Sequence, residues 1–162
     1  MKRVFDARDS QVSVLNSTFE SSVNGLFSES STVSIEDSTF RNLGNTGTPE
    51  DGVCLSLQDS PTVTITNSTF SDNKGDQIGC VSLLCALSKN CVYSISDSTF
   101  SNNPATLKGG AIYYDSFRPT ITNTNFLNNK AVYGENIAGY PVRIAYGNNK
   151  ETSITYEDIA SG

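Results

Sequence analysis

Four times along the chain an apolar–polar–apolar alternation runs into the tetrad Asx-Ser-Thr-Phe: Val12/Val14, Val33/Ile35, Val63/Ile65 and Tyr93/Ile95 precede Phe19, Phe40, Phe70 and Phe100. Alternation with period two, in residues rich in Val, Ile and Thr, predicts a short strand with one buried face. A variant copy, Asn123-Thr124-Asn125-Phe126, follows Ile121, with Pro119 in place of the first apolar residue. That copy predicts a shortened strand with Pro at its start, where the missing N–H is tolerated. A degenerate sixth copy places Ile154 and Ile159 at the equivalent positions.

The anchors Phe19, Phe40, Phe70, Phe100, Phe126 and Ile159 are 21, 30, 30, 26 and 33 residues apart. After each Phe a second apolar stretch follows a Gly, as in Gly25-Leu26-Phe27, Gly52-Val53-Cys54-Leu55, Gly79-Cys80-Val81 and Gly109-Gly110-Ala111-Ile112. Each unit therefore offers two or three short strands, and no 11-residue window has helical periodicity. A propeller blade needs about 40–50 residues. An antiparallel sandwich gives no reason for one side-chain type to recur at one position of every unit. A solenoid does, because equivalent residues stack on neighbouring coils.

Three positions before each Phe stand Asn16, Asp37, Asn67, Asp97 and Asn123. Short polar side chains tolerate left-handed backbone and bond to nearby peptide groups, so this row predicts a turn and a structural ladder. Val4-Phe5 is expected where Leu26-Phe27 stands in the next unit, as the end of an earlier coil. The first residues have no apolar run behind Lys2-Arg3, so no signal peptide is expected, and the chain is expected to be part of a longer helix.

Charge narrows the function. With 17 acidic and 11 basic residues, a net charge of −6 and no basic cluster, nucleic-acid binding is not expected. The longest apolar run, Val81 to Leu87, is too short for a membrane span in this segment.

Catalytic machinery is thin: there is no His, and the five Arg do not share a coil position. Asp37 and Asp97 share a ladder position, but two coils apart they lie about 10 Å from one another, at the limit for an inverting carboxylate pair. No catalytic residue is assigned. Calcium-binding repeats of the Gly-Gly-x-Gly-x-Asp type are missing, so no metal and no cofactor is expected. The column Thr18, Thr39, Thr69, Thr99 and Asn125 hints at an ice-binding array, but variable coil lengths argue against it.

Cys85 and Cys91 flank a loop short enough to be closed by a disulfide, which is the favoured pairing. Cys54 and Cys80 occupy the position of Ala111 on adjacent coils; a second disulfide and a pair of stacked buried thiols are equally consistent with that placement. Two sequons, Asn16-Ser17-Thr18 and Asn67-Ser68-Thr69, lie in the Asx ladder, where glycans would fit exposed turns, although the repeat motif itself generates them. Asn73, Asn103 and Asn129 read as turn formers.

Gly109-Gly110-Ala111-Ile112, with Phe70 to Asn73, Phe100 to Asn103 and Phe126 to Asn129, resembles the Gly-Gly-Ala-Ile and Phe-x-x-Asn repeats of chlamydial polymorphic outer-membrane proteins. The first two units depart from it, with Glu20-Ser21-Ser22 and Arg41-Asn42-Leu43 after the Phe. Similar motifs occur in large surface proteins of protists, and the segment from Tyr133 to Pro141 resembles one that closes β-helices in ciliate members.

The resemblance implies an all-β fold, a right-handed parallel β-helix or β-solenoid of about six coils, as one domain over residues 1–162. It also implies a structural or adhesive role at the cell surface or outside the cell; a head-to-tail contact between such helices that does not close would extend this role to filaments. The partners would be other protein chains, further coils of the same protein, or surface glycans. The alternative is a polysaccharide-active enzyme or carbohydrate-binding module of the pectin-lyase-like kind.

Overall fold

The computed structural model describes residues 4–44 and 52–140. Its strands fall into successive turns of one helix. The first coil holds β1 (Phe5–Arg8), β2 (Gln11–Leu15) and β3 (Thr18–Glu20). The second holds β4 (Leu26–Glu29), β5 (Thr32–Glu36) and β6 (Thr39–Arg41), and the third β7 (Leu55–Gln58), β8 (Thr62–Thr66) and β9 (Thr69–Ser71). The fourth holds β10 (Val81–Leu84), β11 (Val92–Ser96) and β12 (Thr99–Ser101). The fifth holds β13 (Ile112–Tyr114), β14 (Thr120–Thr122) and β15 (Asn125–Leu127), and β16 (Ile137–Gly139) begins a sixth.

Every pairing joins a strand to its counterpart one coil away, and every pairing is parallel. Three sheets result, in the orders β1-β4-β7-β10-β13-β16, β14-β11-β8-β5-β2 and β15-β12-β9-β6-β3. This is a parallel β-helix, the solenoid that the repeat implied. The anchor at Ile159 lies outside the described residues.

The alternation decides which face turns inward. Val33, Ile35, Val63, Ile65, Tyr93 and Ile95 are buried, while Ser34, Thr62, Glu36 and Val92 between or beside them look outward. A slip of one residue would expose every apolar side chain of a strand, so the register is fixed by burial. Pro119 shortens the second strand of the fifth coil to Thr120–Thr122, whose Ile121 is only half-buried.

The Phe anchors form one continuous stack in the third sheet. Ring centroids of Phe19, Phe40, Phe70, Phe100 and Phe126 are 4.6, 5.0, 4.5 and 5.5 Å apart in succession, and successive planes deviate by 12° or less. Parallel pairing in register places each ring over the last, and the middle three are fully buried.

The corner between the second and third sheets takes two residues in each of the five coils, whereas the link from the third sheet to the next coil runs from five residues (21–25) to thirteen (42–54). Variation in coil length is therefore confined to the other corners. The Val4-Phe5 expectation is one residue out: Phe5 pairs with Leu26, and Ala7 supplies the buried side chain of β1. Burial of Phe27 on β4 has no counterpart at Asp6, so the apolar pair misleads about register. Residues 137–139 add a strand to the first sheet, in register with β13.

Close packing of the coils makes some positions intolerant of any side chain. A Cβ on Gly79 would stand 1.8 Å from the Gly110 carbonyl oxygen of the next coil. Gly79→Ala is expected to lower stability by at least about 2 kcal/mol, and Phe70→Ala by about 3–5 kcal/mol through loss of a central ring of the stack. Urea denaturation of the two variants against the parent checks both, and midpoints within error of the parent would contradict this packing.

Candidate functional site

The candidate features are the polar rows at the corners. At the corner between the second and third sheets, Asn16, Asp37, Asn67, Asp97 and Asn123 have φ between 47° and 50°. Asn and Asp adopt this left-handed conformation more readily than other residues with side chains, which explains the row in physical terms. The Ser that follows turns its Oγ back to donate to the carbonyl two residues before it, as Ser38 does to Glu36 and Ser68 to Thr66, both at 2.8 Å. The same Oγ accepts the backbone N–H of the Ser in the preceding coil: Ser17 to Ser38 at 3.1 Å, Ser38 to Ser68 at 3.2 Å and Ser68 to Ser98 at 3.1 Å.

The Asx side chains join the same ladder. Asn67 Nδ2 donates to Asp37 Oδ1 at 2.5 Å, and Asn123 Nδ2 to Asp97 Oδ1 at 3.2 Å. Asp37 and Asp97 are thus acceptors for the Asn of the following coil, with Asn67 standing between them. The geometry brings no two ladder carboxylates onto adjacent coils.

A second row lies at the corner leaving the third sheet, and here sequence reasoning misplaced the turn. In Phe-x-x-Asn the left-handed residue is the one before the Asn: Asp72, Asn102 and Asn128 have φ of 53–57°, and Asn42 takes the same conformation before Leu43. Asn73, Asn103 and Asn129 instead point inward and are buried. Asn103 Nδ2 donates to Phe70 O at 3.0 Å and to Asn129 Oδ1 at 2.9 Å, while Asn103 Oδ1 accepts from Asn73 N at 3.2 Å and Asn73 Nδ2 at 3.0 Å. Asn129 Nδ2 continues the row to Phe100 O and Asn136 Oδ1, and Leu43 N opens it on Asn73 Oδ1. An amide at this position has two donors and a two-lone-pair acceptor, enough to bridge both neighbouring coils. The constant offset from Phe was the available signal for this role.

Both cysteine pairs are bonded. Cys54 and Cys80 stand in register on adjacent coils with Cα atoms 4.9 Å apart, and Cys54 N donates to Cys80 O at 2.8 Å. Cys85 and Cys91 close the loop that links β10 to β11. That loop is held from both sides: Asp59 Oδ1 accepts from Ala86 N at 2.7 Å, and the Asp115 carboxylate accepts from Cys85 N at 2.9 and 3.1 Å and from Ser116 N. Neither aspartate was singled out by the repeat, because both lie at the corner where coil length varies.

Tyr93 packs inward beneath this loop, 2% exposed, and its hydroxyl has no hydrogen-bond partner among the described residues. Burial pushes its ionisation well above the ordinary phenol range, and the nearby Asp115 and Asp59 carboxylates push it further.

Among the described residues no group of three or more His, Cys, Asp or Glu side chains could hold a metal ion. A shallow depression of about 470 Å³ is lined by Asn102, Pro104, Asn128 and Lys130, beside the second polar row. The sequon residues Asn16 and Asn67 are exposed, as are Thr18 and Thr69 at the end of each sequon. The column Thr18, Thr39, Thr69, Thr99 and Asn125 is in register along the outside of the third sheet. No helix among the described residues is long and apolar enough to cross a membrane.

A family model described as a right handed beta helix region matches residues 4–155. Neither a search of curated proteins nor one of solved structures gave a match.

Two measurements test the rows. Asn103→Leu strands the Phe70 carbonyl and breaks the inner row, and is expected to cost about 3 kcal/mol, against less than about 1 kcal/mol for Asn102→Gly, which keeps the left-handed turn at the exposed neighbour. Urea midpoints of the pair check this, and equal midpoints would contradict it. For Tyr93, the folded-state ionisation lies above the unfolded one, so its protonated form stabilises the fold below pH of about 10, and that contribution is lost as pH rises through the folded value. In an alkaline ultraviolet titration Tyr93 should ionise only with unfolding. Tyr93→Phe should leave stability unchanged or raise it by up to about 1 kcal/mol, since it removes an unpaired buried hydroxyl.

Proposed function

Because the chain belongs to the right-handed β-helix family, we propose that it is a structural, adhesive module of an extracellular or cell-surface protein and not an enzyme. The observation that carries this reading is the cysteine chemistry: all four cysteines are paired, with none free. Disulfides persist in oxidising surroundings and are rare where glutathione keeps thiols reduced. The corner side chains support the non-catalytic half of the reading, because the Asx, Ser and Asn rows bond one coil to the next and offer no opposed acid and base.

Assembly into filaments extends the same reading. Among the described residues β1, β2 and β3 are edge strands of their sheets. An unpaired edge is a template for another strand, and a head-to-tail contact that does not close generates fibres. Further coils of the same protein and other protein chains are the partners this edge suits.

The second reading is a carbohydrate-binding or polysaccharide-active module, favoured by the depression at Asn102, Pro104, Asn128 and Lys130. Amides and an ammonium group suit sugar hydroxyls and an acidic sugar. It requires binding or turnover of an acidic polysaccharide that Lys130→Ala abolishes. Isothermal titration with polyuronate separates the two readings, and the adhesive one expects no turnover.

The compartment is tested directly. Protein from its native source, alkylated without prior reduction, should gain no label at Cys54, Cys80, Cys85 or Cys91. Four alkylated thiols would overturn the extracellular reading.

A further inference from the structure

The ridge at the corner between the second and third sheets alternates Asn16, Asp37, Asn67, Asp97 and Asn123, one residue per coil. Only Asn16 and Asn67 belong to Asn-x-Ser/Thr; the copy at Asn123 has Asn125 in the third place. We propose that Asn16 and Asn67 carry N-linked glycans, and that the intervening Asp37 serves to keep those glycans two coils apart. The inference rests on the extracellular reading above.

Three observations carry it. First, both Asn residues and the threonines that complete their sequons are exposed, at a two-residue turn with nothing folded over it among the described residues. Second, the attachment is compatible with the ladder. In glycan transfer the side-chain amide nitrogen forms a bond to the anomeric carbon of an oligosaccharide carried on a lipid diphosphate. The sugar–phosphate bond breaks, the lipid diphosphate leaves, and the amide gives up one proton. Asn67 Nδ2 has two N–H groups, and its bond to Asp37 Oδ1 uses one. The glycosylated amide retains one N–H, enough for a single bond of this kind.

Third, the spacing suits bulky substituents. Adjacent coils are about 4.8 Å apart, narrower than a hydrated oligosaccharide, whereas Asn16 and Asn67 are separated by two coils, about 10 Å. Asp37 has the same left-handed turn and the same Ser-Thr sequel as its neighbours. It differs in having no amide nitrogen to modify, and its carboxylate instead accepts from the Asn that follows. Both glycans would stand over the corner between the second and third sheets, leaving the corner at Leu107 and Val132, where apolar side chains are exposed, free of sugar.

The test is secretion of the full chain from a eukaryotic cell line, with intact-mass measurement and peptide mapping before and after peptide:N-glycosidase treatment and with alkylation of free thiols. The expected result is glycan at both Asn16 and Asn67, with Thr18→Ala and Thr69→Ala each removing one glycan's mass. Asp37→Asn completes a third sequon with Ser38 and Thr39, and is expected to lower the secreted yield severalfold, with recovery on adding Thr39→Ala. A secreted chain with both disulfides formed but bare at both sites overturns the glycan assignment and leaves the extracellular reading standing. Full yield of Asp37→Asn with three occupied sites overturns the spacing argument. A chain that emerges with free thiols overturns the extracellular reading and this inference together.

Discussion

Parallel strands stacked along one axis must be joined by turns that recur at the same place in every coil, and each turn leaves backbone groups that the strand ladders do not satisfy. The structure resolves this with side chains that bond to the coil above or below at the corner itself. Ser Oγ at one corner accepts an N–H from the preceding coil while donating within its own, and the buried Asn amide at the next accepts from the preceding coil and donates to the coils on both sides. Without these rows the corners would hold unpaired polar groups beside an apolar core, where each costs about 1–3 kcal/mol. The Phe stack and the inward Val and Ile residues can be dense only because the corners are satisfied in register with them.

The fold was legible because the period of the sequence and the period of the structure are the same. Phe70 sits on Phe40 because the chain repeats its Asx-Ser-Thr-Phe tetrad, and that tetrad corresponds to an invariant two-residue corner. The outward and inward positions of the second sheet follow from Val63-Thr64-Ile65 and its equivalents for the same reason. The link between the third sheet and the next coil was not readable in that way. The corner between the first and second sheets also varies in length from coil to coil, so Asp59 and Asp115 cannot be aligned in sequence although they hold one loop between them. The inward direction of Asn103 was also hidden, since Asn is a common turn residue and only its hydrogen bonds separate a turn former from a buried bridge.

Disulfides and variable corners occupy the same region of the molecule. Cys85–Cys91 closes the loop of the fourth coil, and Cys54–Cys80 lies where the chain re-enters the first sheet after links of unequal length. Regular corners stabilise themselves by repetition of side chains. At the variable corner between the first and second sheets, a covalent link and aspartates accepting backbone amides take that role.

The link between Cys54 and Cys80 joins two consecutive coils across their shared sheet edge, bridging a sequence separation of 26. In a solenoid each coil contacts only its neighbours, so force applied along the axis would peel coils away one after another from an end. A covalent closure in the middle of the rod changes that response. Tension reaching the third coil passes directly through sulfur to the fourth, and the enclosed residues cannot be drawn out to add length. The rod is thereby divided into an outer part that can yield under load and a central segment of fixed contour.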